Sequence, residues 1–236
     1  MEQNQIGEKN ETPVVPWSVT DTWVGVGLLV LLSLGMAVLL AFGVNRQYLE
    51  NIGVLVLEMM YLLPVVLIFA WRRVHWRTLG FGRFNLETLA LGFGLLLGGY
   101  VIIIAHNMLL YWLGVDTQGD QVFEIFNQLE SPVWFFFVGS LVAPFVEEIF
   151  FRGFLFQGFR QKYGWLPALL LSSAIFSLAH LDPVSLVPTF VLGCVLAFVY
   201  HRSNSLWPGI LFHAAINSFS LCAVYFISQN PGLIPA

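Results

Sequence analysis

The sequence predicts an all-α fold: a polytopic membrane helix bundle of about seven transmembrane helices. Three observations predict it. Hydrophobic residues make up 58% of the 236-residue chain and charged residues only 10%. A soluble domain carries about 25% charge, so there is too little here to clothe a water-facing surface. Mean hydropathy is +0.78, and the apolar residues gather into seven stretches long enough, or nearly so, to cross a bilayer.

The first 21 residues are polar, contain Pro13 and Pro16, and lack a basic region followed by an apolar core. They read as a tail leading to an interfacial Trp17 and Trp23 rather than as a signal peptide. Spans follow at about 22–43, 52–71, 87–114, 132–159, 166–181, 184–200 and 207–228. They divide into amino-terminal transmembrane helices over 22–129 and a second group over 130–228, with a short tail over 229–236. The third span holds a GxxxG at 94–98, a pattern that lets helix backbones approach in lipid. The fourth starts on Ser131-Pro132, a cap followed by a proline in the first turn. Only Asp182-Pro183 separates the fifth and sixth, which predicts a tight helical hairpin.

Basic residues in the loops orient the bundle. Lys9, Arg72, Arg73, Arg77, Arg83, Arg160, Lys162 and Arg202 fall on one side, and Arg46 alone falls on the other. The third connection carries Asp116, Asp120, Glu124 and Glu130 and no cation. The amino terminus is expected in the cytoplasm and the carboxyl terminus outside. The membrane is expected to be a prokaryotic inner membrane, or the endoplasmic reticulum in a eukaryotic source. The net charge of −4 leaves no basic surface for nucleic acid. Cys194 and Cys222 lie far apart in apolar runs, make no disulfide framework and read as buried small hydrophobes.

The informative residues are charges where lipid should be. Glu147 lies about 12 residues from the inner end of its span, roughly 18 Å at 1.5 Å per residue. Glu147, Glu148 and Arg152 cost the helix roughly 8–10 kcal/mol on an insertion scale. Sixteen Val, Leu, Ile and Phe residues between 133 and 159 return roughly 5–10 kcal/mol. The helix therefore depends on partners facing these three groups. Glu148 and Arg152 are four apart in the favourable order for an ion pair. That leaves Glu147, about 100° around the helix, without a local partner. Pro144 removes a backbone donor near mid-membrane and frees a carbonyl. His180 follows Phe176 by four residues at a depth of roughly 21 Å. His213 and Asn217 share a face of the last span, about 9 and 15 Å deep. Glu58 and the pair His106-Asn107 are expected near the outer interface, and His75 and His201 in solvated loops.

These groups make a hydrolytic set. Glu147 with His180 can polarise a water for attack on an amide carbonyl. His213 and Asn217 can donate to the developing oxyanion, and Glu148 paired with Arg152 stays ionised beside them. Glu147, His180 and His213 are also a His₂Glu set of the kind that binds catalytic zinc. The spacing HExxH is absent, however, and Asn217 is a poor zinc ligand.

Taken together, Glu147-Glu148-Ile-Phe-Phe-Arg152-Gly153, then Phe176-xxx-His180, then His213-xxx-Asn217 resemble the three signature motifs of the CPBP family. That family includes the Rce1-type CAAX prenyl proteases and bacteriocin-processing or immunity relatives. The resemblance covers about residues 130–220. It implies an intramembrane endopeptidase whose catalytic cavity lies within the bundle and opens toward the cytosol. It implies that Glu147 and His180 activate water, that His213 and Asn217 hold the oxyanion, and that Glu148, Arg152 and Phe176 support them. Members have been described both as metalloproteases and as glutamate proteases, so a divalent ion such as zinc stays open. The substrate implied is a peptide or membrane-anchored protein, prenylated in CAAX-type processing. Rce1-type members usually have eight spans, against seven counted here. Two other classes fit parts of the pattern. Mid-membrane Glu and His residues also build proton-coupled transporters, and immunity-type relatives suggest a non-catalytic scaffold.

Overall fold

The computed structural model describes residues 14–42, 53–115 and 132–230, and contains helices and no strand among them. In chain order they are α1 (Val19–Ala41), α2 (Val54–Arg72), α3 (Leu86–Trp112), α4 (Pro132–Tyr163), α5 (Trp165–Ala179), α6 (Leu186–Ser203) and α7 (Leu206–Gln229). Six are long and apolar enough to span a membrane, and α5 is shorter. The protein is an integral, multi-pass membrane protein. The expected Ser131 cap, and the orienting residues Lys9, Arg46, Asp116, Asp120, Glu124 and Glu130, lie outside the described residues.

Helix α4 is the hub. Half of its most apolar window is buried, against a third or less for each of the other spans. Phe150, Phe151, Phe154, Phe156 and Phe159 are completely enclosed. The hairpin of α5 and α6 packs on one side of α4, α7 crosses it, and α1 with α2 closes the other side. Helix α3 lies outside, against α6 and α7. Gly164, at φ +81°, ends α4 and lets α5 begin at once. At the α5–α6 turn Asp182 accepts from the amides of Val184 and Ser185, so the predicted hairpin forms, with a connection over residues 180–185 rather than two residues.

Several expectations are corrected. Trp17 is not interfacial: it is 1% exposed, its ring lies 5.2 Å from Phe69 and 5.5 Å from Phe154, and Gln161 donates to its carbonyl. The segment ahead of α1 therefore belongs to the core, with Asp21 tying α1 to Arg72 of α2 at 2.8 Å. In α3 the packed glycines are Gly92 and Gly99. A Cβ at Gly92 would collide with Phe212, and one at Gly99 would sit 3.1 Å from Val191. Gly94 and Gly98, the expected GxxxG, face open space. The spacing was sound for a helix, but the face that meets α6 and α7 is the neighbouring one. Cys222 is exposed rather than buried. His201 stacks on Trp165 at 4.9 Å and 6°, half-buried rather than solvated.

Candidate active site

The site grows out of irregularities in α4. Residues Val138–Val142 and Ile149–Phe156 are π-helical, a form frequent where a helix carries function. In the first stretch the Ala143 amide bonds to the Val138 carbonyl, five residues back. The same register would pair residue 144 with Gly139, but Pro144 has no N–H. The Gly139 carbonyl is thereby free and accepts a hydrogen bond from Asn217 Nδ2 of α7 at 2.9 Å. A proline in α4 and an asparagine in α7 thus form one joint.

One turn further along, Glu148 Oε1 accepts from Arg152 Nη1 at 2.6 Å and from His213 Nδ1 at 3.2 Å. Arg152 is 1% exposed; it also donates to the Gly193 carbonyl at 3.2 Å, and its guanidinium lies 4.5 Å above the Phe176 ring. Two glycines allow this packing. A Cβ at Gly209 would lie 2.7 Å from Glu148 Oε2, and one at Gly193 would meet Ser173 at 3.0 Å. The buried charges of Glu148 and Arg152 are therefore paired with each other and contacted by three further helices, with Oε2 of Glu148 left without a hydrogen-bond partner.

Glu147 points elsewhere. It is 6% exposed and its Oε2 has no hydrogen-bond partner; His213 Nε2 stands 3.7 Å away, beyond a direct hydrogen bond. His180 Nδ1 is 2.8 Å from the Phe176 carbonyl. A carbonyl only accepts, so Nδ1 carries the proton and a neutral ring presents Nε2 as an acceptor. Phe176 lies 4.7 Å from His180 and 5.7 Å from His213, edge-on to both.

A cavity of about 590 Å³ is lined by Glu147, Phe176, His180, His213 and Asn217 together with apolar side chains. All seven side chains expected from the motifs fall in or directly against one place. Glu148, Arg152, Phe176 and His213 are in contact, and Glu147, His180 and Asn217 face the same space. The cavity walls come from the amino-terminal halves of α2, α4 and α6 and the later halves of α3, α5 and α7. The cavity thus occupies the half of the bundle remote from Arg77, Arg83, Lys162 and Arg202. Sequence reasoning missed the roles of Gly139, Gly193 and Gly209, and placed Glu58 at the interface; Glu58 lines the cavity. A glycine gives no polar signal, and its part is visible only once the neighbouring helix is in place.

The His₂Glu reading meets a test here. Among the described residues no three His, Cys, Asp or Glu side chains are grouped to hold a metal ion. Glu148 engages Nδ1 of His213 and a carbonyl engages Nδ1 of His180, which leaves Nε2 of each ring free. As placed, Glu147, His180 and His213 are not gathered closely enough to hold zinc.

Residues 129–219 match a protein family described as Type II CAAX prenyl endopeptidase, Rce1-like. The chain is 30% identical over 116 residues to YdiL of Bacillus subtilis (strain 168), provisionally named a membrane peptidase. That match covers 49% of this chain and 48% of YdiL. It is 28% identical to YbdI of Lactococcus lactis subsp. lactis (strain IL1403), over 57% of this chain and 75% of that protein. It is 27% identical to the membrane-embedded CAAX protease MroQ of Staphylococcus aureus (strain USA300), over 56% of this chain and 57% of MroQ. The chain spans about half the length of YdiL. No solved structure matches the chain. These matches agree with the resemblance seen in the motifs, and the Rce1-like match falls on the segment that holds α4 to α7.

Proposed function

We propose that the protein is an intramembrane endopeptidase in which Glu147 is the water-activating carboxylate. The single observation that carries this is the contrast between two adjacent glutamates. Glu148 is held at Oε1 by both Arg152 and His213 and does not line the cavity, whereas Glu147 is buried, has its nearest charged partner 3.7 Å away and faces the cavity. A carboxylate kept only for structure would be paired with a cation, as its neighbour is with Arg152. Glu147 takes a proton from a water that His180 Nε2 also orients, and the resulting hydroxide attacks the substrate carbonyl. The oxyanion accepts from His213 Nε2 and from the second N–H of Asn217 Nδ2. Because Nδ1–H of His213 faces Glu148, donation from Nε2 needs the doubly protonated ring, whose charge the two glutamates offset. Collapse breaks the C–N bond, and Glu147 returns its proton to the leaving amine. No step runs through a metal.

The substrate is a membrane-anchored peptide or protein. The name CAAX protease, carried by MroQ, supports C-terminal processing as one form of the reaction. The test is a panel of prenylated CAAX and unmodified membrane-anchored peptides in liposomes, with the parent and His180→Ala, each with and without chelator. Cleavage insensitive to chelator and lost in His180→Ala is expected. Cleavage abolished by chelator and restored by zinc would contradict the metal-free scheme.

A further inference from the structure

Glu58 lies on α2, outside the motifs and outside the matched segment, yet it lines the same cavity as Glu147. Its Oε2 is buried without a hydrogen-bond partner, as is Oε2 of Glu147, which is 6% exposed. The two acids therefore face one space with an unanswered oxygen each. Among the described residues lining that space there is no Lys or Arg. Arg152, the buried cation that lies against Phe176 of the cavity wall, is committed to Glu148 and the Gly193 carbonyl. The proposed chemistry has a use for Glu147 but none for Glu58.

We propose, resting on the endopeptidase reading, that Glu58 is a specificity-determining residue that receives a Lys or Arg side chain of the substrate. The favoured substrates are then membrane-anchored peptides with one cationic residue close to the scissile bond. The rest of the wall suits such a side chain. Leu96, Ile103 and Val195 offer apolar surface for the aliphatic stem, while the charged head reaches the carboxylate. The pairing neutralises Glu58 when substrate is bound and leaves Glu147 free to act on water.

The experiment uses the full chain in liposomes with labelled single-span peptides. They are identical except for Lys, Arg, norleucine or Glu placed in turn at each position around the cleavage site. Binding is read by fluorescence, independently of turnover, and KM and kcat are measured where cleavage occurs. In the parent, Lys and Arg at one position should bind about tenfold tighter than norleucine, as for a charge-assisted hydrogen bond. The ratio should fall to about one in Glu58→Gln, through KM rather than kcat, and Glu58→Lys should favour the Glu peptide instead. The absence of a cation preference in the parent would overturn the proposal, whether or not any variant folds. So would a preference that survives Glu58→Gln, or a uniform fall in kcat on all peptides, which would make Glu58 part of the proton transfer. The two readings fail separately. Cleavage that persists in Glu147→Gln ends the catalytic assignment but leaves the binding ratio standing. Glu147-dependent cleavage with no cation preference ends only this inference.

Discussion

Arg152 and Glu148 show how much a single residue decides. Each is enclosed and each is the other's ion-pair partner, so removing one leaves an uncompensated charge in the bundle. Arg152→Met should therefore destabilise the protein by about 3–5 kcal/mol, measured by denaturant unfolding in detergent. Arg152→Lys should recover only part of that, because an ammonium cannot lie flat on Phe176 and bond both Glu148 and Gly193. At this scale the sequence was legible where residues are chemically loud. Glu147, Glu148, Arg152, His180, His213 and Asn217 stand out because each is costly in lipid. The division of labour between the two glutamates was legible only in part: the spacing predicted the pair with Arg152. The second partner of Glu148, His213, comes from a helix 65 residues away. That Glu58 lines the cavity was not legible, because depth along a helix says nothing about which face meets a cavity.

Helix α4 and its neighbours carry the next level. The π-helical register and Pro144 together free the Gly139 carbonyl for Asn217. Pro144→Ala restores a donor to that carbonyl. It should weaken the α4–α7 joint and lower cleavage while leaving the protein folded, as judged by elution profile and helical circular dichroism. Gly209→Ala should act similarly from the other side. Its Cβ would push on Glu148 Oε2 and displace His213, lowering kcat more than KM. Element boundaries agree with the apolar runs to within a few residues, since the bilayer demands long uninterrupted stretches. The packing faces did not follow from pattern. In α3 the small-residue motif at 94–98 faces outward, and Gly92 and Gly99 make the contacts. Nearly every position of such a helix is apolar, so periodicity carries no signal for which side meets protein and which meets lipid.

Across the whole molecule, the connections rich in Lys and Arg lie at one end of the bundle and the cavity in the opposite half. The charge bias of the loops predicts that half to be the outer one. This runs against the cytosolic opening that the family resemblance implies. With Cys194 and Cys222 replaced by Ala, single cysteines at His75 and Asp182 should label from opposite sides with an impermeant maleimide. Position 75 is expected to be reached only after permeabilisation; the reverse pattern would invert the orientation. Six spanning helices and a shorter seventh follow directly from composition. The burial of Trp17 does not, because a polar tail with a tryptophan looks interfacial until Phe69 and Phe154 are seen to enclose it.

The central claim is that Glu147 activates water, and one comparison tests it most directly. The parent and Glu147→Gln are reconstituted side by side in liposomes with a membrane-anchored peptide that the parent cleaves, and products are read by mass spectrometry. Glutamine keeps the shape and cannot take the proton, so the variant should elute and unfold like the parent while cleavage falls by at least about 100-fold. A correctly folded Glu147→Gln protein that cleaves at the parent's rate would contradict the account.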